Sequence, residues 1–259
     1  MSILSVLLGV QLRSQTLAEI PAQTRLNPLL GGINVQPQTA TLLFGKKGAE
    51  FPDYKEARIR YPQVVGAPSS TLLQKVQGVI GLKQVLGQSL VELRQEFREN
   101  HWLSNIDYAI TYNRYPALSL TYFVSGVGAY PDGYEKHVSV DLRTGKRLQV
   151  EDFLQAAAIA PLTQEIDRML QQEIQKTMTE VLQQEPDFGT DLFMHRRFER
   201  QNLSDFSITK EGITFYYNFD FPHVVKAAEP KHDFLIRYRW LAPYLRPEGA
   251  LGQYASAQP

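Results

Sequence analysis

The segment from Leu118 to Leu154 constrains this chain more than any other. Leu118, Leu120, Tyr122 and Val124 alternate with Ser119, Thr121 and Phe123, the period of a half-buried strand. Gly126 and Gly128 interrupt the pattern, and Ala129-Tyr130-Pro131-Asp132-Gly133 reads as a turn. Val138, Val140 and Leu142 then alternate with His137, Ser139 and Asp141 as a second strand. Arg143-Thr144-Gly145-Lys146 closes that strand, with Gly145 suited to a positive φ. Glu151-Asp152-Phe153-Leu154 leads into a helix. The segment contains no catalytic arrangement, so it points toward binding.

The flanking sequence extends the pattern. Thr39 to Phe44 and Tyr54 to Tyr61 are β-prone runs around Gly45-Lys46-Lys47-Gly48, a hairpin-like pair, and Pro62 is expected to end the second run. Residues 19–38, rich in Pro, Gln, Asn and Gly, read as a linker. Leu72, Leu73, Val76 and Ile80 share one helical face, which Leu86, Leu90, Leu93 and Phe97 continue. Gly78, Gly81 and Gly87 predict a break near 81 to 87. Tyr108 to Asn113 opens the sheet. In the second half, Leu162 to Val181 predicts a long amphipathic helix that Pro161 starts and Glu185-Pro186 ends. Runs at Phe206–Ile208, Ile213–Phe219 and Phe234–Trp240 predict strands.

Strand pairs with tight turns, separated by helices, define an α+β class with antiparallel sheets and packed amphipathic helices, in two similar sub-domains. The expected divisions are a leader at 1–18, a linker and N-terminal hairpin at 19–53, sub-domains at 54–150 and 151–246, and a flexible tail at 247–259. Ile3 to Val10 is apolar and Thr16-Leu17-Ala18 has the form of a cleavage site, although the basic segment of an export signal is missing. No stretch reaches the roughly 20 apolar residues of a membrane span. The chain has 27 basic and 27 acidic residues, so it lacks the basic surplus of a nucleic-acid partner. It has no cysteine, which excludes disulfides, thiolate metal sites and cysteine nucleophiles.

Several motifs together resemble a known family. They are Tyr61-Pro62-Gln63-Val64 ahead of a helix, Tyr112 to Arg114, Leu118-Ser119-Leu120-Thr121-Tyr122, Gly128-Ala129-Tyr130, Asp141-Leu142-x-Thr144-Gly145-Lys146 and Glu151-Asp152-Phe153. Phe206-Ser207-Ile208-Thr209, Gly212 to Tyr217 and Ile236-x-Tyr238 ahead of Tyr244-Leu245 complete the set. Over roughly residues 54 to 246 the chain is similar to the paired extracytoplasmic domains of RsiV-type anti-sigma factors, the lysozyme-sensing group. Similar domains precede the catalytic domain of PdaC-type peptidoglycan deacetylases. The resemblance implies a location outside the cytoplasmic membrane, periplasmic or secreted, and a partner such as c-type lysozyme. The sequence shows neither a sigma-binding domain, a membrane span nor a deacetylase domain, so the resemblance implies the binding module alone.

The search for chemistry supports a non-enzymatic reading. His101, His137, His195, His223 and His232 have no zinc-ligand spacing, and no cofactor is expected. Gly87-Gln88-Ser89 lacks the second glycine of a nucleophile elbow, Gly126-Val127-Gly128 sits between strands, and Thr144-Gly145-Lys146 reads as a turn. No carboxylate pair is favoured for glycoside chemistry. Two surface features are the binding candidates. The first is the turn with Tyr130, Asp132, Tyr134 and Glu135, whose tyrosines and acids suit a basic protein or a sugar ring. The second is Arg196 and Arg197, beside Arg200 and Phe198, suited to an anionic polymer or an acidic partner. The expected function is a binding module for a protein such as lysozyme. A peptidoglycan-fragment or other glycan module is the alternative, and a cell-wall hydrolase or deacetylase accessory domain a second alternative.

Overall fold

The computed structural model describes residues 32–43, 56–99, 102–127 and 131–255. The expected leader and Tyr130 lie outside them. The fold is α+β: a six-stranded mixed sheet, a three-stranded antiparallel sheet and packed helices.

Strands β1 (Ile33–Leu43) and β2 (Glu56–Gly66) pair antiparallel along their whole length. This corrects the linker reading for residues 33–38. Ile33 and Val35 are buried while Asn34 and Gln36 face water, a period-two pattern hidden by the Gln- and Pro-rich composition. Pro62 does not end β2. It sits opposite Pro37 on one rung, where neither residue supplies a donor, and the strand runs on to Gly66.

Three helices follow: α1 (Ser70–Ile80), α2 (Leu82–Leu86) and α3 (Leu90–Glu99). Ser69 caps α1 by accepting the Leu72 N–H. The breaks fall at Gly81 and at Gly87, whose φ of 79° suits glycine. The helices carry the chain across to β3 (Leu103–Arg114), which pairs with β2 in parallel at Arg58↔Asn105 and Ile59↔Ile106. An all-antiparallel sheet is therefore corrected at this one junction, because a helical crossover replaces a hairpin. Strands β4 (Ala117–Val127), β5 (Pro131–Asp141) and β6 (Lys146–Arg147) complete the sheet by antiparallel pairing. Gly145 has the expected positive φ, 70°.

One face of this sheet is apolar. Leu118, Leu120, Tyr122, Val138 and Val140 share a core with Val76, Ile80 and Phe97 of the helices. Tyr122 donates its hydroxyl to the Ile80 carbonyl at 2.7 Å, satisfying an acceptor at the end of α1. The other face is also buried, which corrects the half-buried reading of β4. Ser119, Thr121, His137 and Ser139 all lie under the second sheet.

That second half begins with α4 (Val150–Phe153) and the long α5 (Ala156–Gln184). Pro161 lies inside α5 rather than at its start. Its missing N–H would have paired with the carbonyl of Ala157, a solvent-exposed residue. Strands β7 (Phe206–Ile208), β8 (Gly212–Tyr216) and β9 (Asp233–Arg237) form the small sheet, and α6 (Tyr238–Leu241) replaces the expected end of the last strand. Its core gathers Phe153, Leu162, Ile166, Leu170, Phe215 and Phe234. The two halves are thus unequal in strand number, which corrects their expected likeness.

The expected flexible tail is corrected for residues 247–255. Ala250 and Leu251 are fully buried, and Tyr254 stacks on Tyr238 at 3.7 Å between ring centres. The Tyr254 hydroxyl lies 3.2 Å from that of Tyr112 in β3, and Gln253 donates to the same Tyr112 oxygen. This segment ties the small half to the large sheet.

Candidate functional site

The first candidate cluster is not a turn. Residues 131–141 form β5, because Pro131 to Gly133 pair with Ser125 to Val127 and the glycine signals sit within a ladder. Gly126 is needed there: a Cβ would lie 2.3 Å from the Trp102 carbonyl and 2.7 Å from its indole. The Val127 N–H donates to that carbonyl at 2.7 Å, which fixes Trp102 against the end of the sheet.

Side chains alternate across β5, so Tyr134 and Glu135 project to opposite faces. Tyr134 lies at the open end of the helix-covered face and is 43% exposed. Its ring is parallel to Trp102, at 6.3 Å between centres and 7° between planes. The Lys136 ammonium lies 5.8 Å from the same ring, within cation–π range. Below them is a cavity of about 70 Å³ lined by Leu86, Leu93, Phe97 and Trp102, with Gln88 and Glu96 at its edge. Gln88 donates to the Glu96 carboxylate. Partial burial, with the Glu96 charge added, raises the Tyr134 hydroxyl above its ordinary range.

Glu135 instead joins the polar seam between the two sheets. There the His137 ring lies flat on Tyr216, at 3.5 Å and 5°, and its Nδ1 is 3.0 Å from Thr121 Oγ1. Burial, with the nearby charges of His232 and Lys136, pulls His137 down to about 3, so the imidazole is neutral near neutral pH. The Glu135 carboxylate, 3.9 Å from His137 Nε2, therefore has no cation there to pair with. Glu135 and Asp205 both reach solvent at the rim, yet the surrounding protein holds their carboxyls above the ordinary range. Tyr216 bonds Ser207 at 2.9 Å, and burial pushes its hydroxyl up to about 12.

Ser119 is the centre of the seam. Its Oγ lies 3.1 Å from Thr111 Oγ1 and 2.9 Å from Ser139 Oγ, and accepts the Ile208 N–H at 3.0 Å. Ser119, Ser139, Thr121 and the His137 imidazole are buried and Thr111 partly so, and the group joins the two sheets. Among the described residues, no three His, Asp or Glu side chains are arranged to hold a metal ion. No helix among them is long and apolar enough to cross a membrane.

Asp132 pairs with Lys226 at 2.5 Å, linking β5 to the short 3-10 helix His223–Ala228 of the second half. The arginines do not converge. Arg196 donates to the Leu192 carbonyl and lies over the Phe221 ring, while Arg197 pairs with Asp167 of α5 at 3.0 Å. Arg200 pairs with Glu151. The two candidate groups thus resolve into a Tyr134 platform, a Glu135 seam, the Asp132 link, an Arg196 held on the Leu192 carbonyl and the Phe221 ring, and an Arg197 neutralised by Asp167. Trp102 escaped the sequence reading, and His232, read there only as lacking zinc-ligand spacing, lies close enough to Glu135 and His137 to act on both by its charge. Gly126, beside an aromatic strand, was the available signal for a bulky neighbour at Trp102.

A six-stranded mixed sheet joined through a polar seam to a small antiparallel sheet, with helices on its apolar face, defines the class of this α+β protein. Solved structures share it. A DUF3298-family protein from Bacteroides fragilis superimposes with a TM-score of 0.53 and 15% identity, covering 88% of this chain and all of that one. A DUF3298-family protein from Pseudomonas aeruginosa gives 0.52 and 13%, covering 83% and 95%. At these identities the likeness is one of fold. No protein-family model matches the sequence. No curated protein matches it either.

Proposed function

We propose that this chain is a non-enzymatic, extracytoplasmic binding module that recognises a cell-wall-active protein, with c-type lysozyme as the leading partner. The observation that carries this reading is Tyr134. It is a half-exposed aromatic ring on a fully paired strand, braced by Trp102 on one side and approached by Lys136. A rigid aromatic anchor of this kind loses little conformational freedom on binding and is the residue type that dominates interface energetics. Glu96, at the edge of the cavity below the ring, adds an exposed carboxylate suited to a basic partner. The shared fold adds support, since DUF3298 domains occur in RsiV-type proteins.

The test is biolayer interferometry of the full chain against c-type lysozyme at two salt concentrations. Saturable binding that weakens with salt, inhibits the lysozyme and is lost in Tyr134→Ala supports the reading. Absence of binding at tens of micromolar, or full binding by the variant, removes it.

A further inference from the structure

A second surface feature lies away from the Tyr134 platform, where β1 and β2 meet α1. It is an open groove of about 330 Å³ lined by Gln38, Tyr61, Pro62, Gln63, Val64, Leu73, Gln74 and Gln77. That volume is at the low end of the roughly 300–1,000 Å³ of small-molecule sites.

The lining has four glutamines and a tyrosine and no charged side chain. A phosphate or carboxylate ligand would find no cation here. A wholly apolar ligand would strip water from several amides and return no hydrogen bond. What fits is a neutral ligand dense in hydroxyl or amide groups, because each glutamine presents a donor and an acceptor side by side.

The floor is rigid. Beyond the two rungs shared with β3, β2 has no strand on that side, and Gln77 takes the place of one. Its Oε1 accepts the Val64 N–H at 2.8 Å and its Nε2 donates to the Pro62 carbonyl at 3.2 Å. An incoming peptide strand would have to break both bonds, so strand addition is disfavoured. The side-chain amides of Gln38, Gln63 and Gln74, in contrast, make no hydrogen bond to another described residue, and Gln63 and Gln74 are exposed. Tyr61 and Leu73, both partly exposed, add an apolar surface beside them.

The geometry points to a binding site for a short neutral oligosaccharide, held by the free amides of Gln38, Gln63 and Gln74 against Tyr61. It uses none of the Tyr134 residues, so its outcome is independent of lysozyme binding.

The experiment is an NMR titration of the full chain with chitotriose, cellotriose and, as the backbone control, tetra-alanine. The expected result is saturable movement of the Gln63 and Gln74 side-chain amide signals with at least one saccharide, at a Kd on the order of 1 mM. Gln63→Ala combined with Gln74→Ala should weaken that binding about tenfold or more with an unchanged Tm, since both side chains are exposed. Three results overturn the proposal: no saturable shift with either sugar, undiminished binding in the double variant, or movement with tetra-alanine alone.

Discussion

The two faces of strands β4 and β5 are buried to a similar degree and held by different physics. On the helix-covered face, Leu118, Leu120, Val138 and Val140 are removed from water by nonpolar contact with α1 to α3. On the seam face, Ser119, Thr121, His137 and Ser139 are equally buried, but their polar atoms pair with one another, and Ser119 and His137 also meet Ile208 and Tyr216 of the second half. Apolar burial is non-directional and accepts approximate geometry. Buried hydroxyls and imidazoles penalise any placement that leaves them unpaired. The helix face supplies stability, whereas the seam also dictates how the small sheet docks.

The largest expected effect is a pH dependence confined to the seam. His137 is pulled down to about 3 in the folded protein, so the unfolded chain binds the extra proton as pH falls below its ordinary value near 6.5. Stability therefore falls on acidification. Glu135, Asp205 and Glu229 are raised by burial and act in the opposite sense, losing stability as pH rises through their folded values. Comparing the wild type with His137→Gln cancels those carboxyls. The stability difference between the two proteins should shift by on the order of 4 kcal/mol between pH 7 and pH 3.5, against the wild type at low pH. Urea unfolding at each pH measures it, and a constant difference would mean that the ring is not held neutral.

Next comes Leu120→Ala, expected to cost about 3 kcal/mol through a cavity on the helix face. Ser119→Ala should cost about 2 kcal/mol, mainly by leaving the Ile208 N–H without its acceptor. Hydrogen exchange separates the two. The serine variant should selectively expose β7, while the leucine variant should loosen the large sheet as a whole. Identical exchange patterns would break the distinction between the faces. The smallest stability effect belongs to Tyr134→Ala, below about 1 kcal/mol because the ring is already half exposed. In the lysozyme assay the same variant should dissociate at least tenfold faster.

Much of the fold was legible because local signals and tertiary packing agree. The helix breaks at Gly81 and Gly87 and the Gly145 turn follow from glycine's own conformational freedom, and β4 from an alternation carried by consecutive residues. The parallel β2–β3 pair was not legible, since its direction depends on how three helices cross the sheet. The burial of Ser119 and Thr121 was hidden for a related reason: a polar side chain reads as solvent-facing until a second sheet supplies its partners. In the candidate site, Tyr134 was visible as an exposed aromatic, but its grouping with Glu135 came from reading Pro131 and Gly133 as a turn. Once those residues join a ladder, adjacent side chains must separate. The arginines looked like a cluster because Asp167 and Glu151 lie 30 and 49 positions from Arg197 and Arg200.

The Gln77 amide across Pro62 and Val64 has a consequence for how this protein coexists with its own copies. A strand edge with unpaired backbone groups is a template on which another chain can grow a sheet. By occupying one rung of β2 with a side chain, α1 guards that edge from within the fold. An incoming strand meets a donor and an acceptor already paired within the fold at that rung, and the groove beside it keeps its neutral, amide-lined surface.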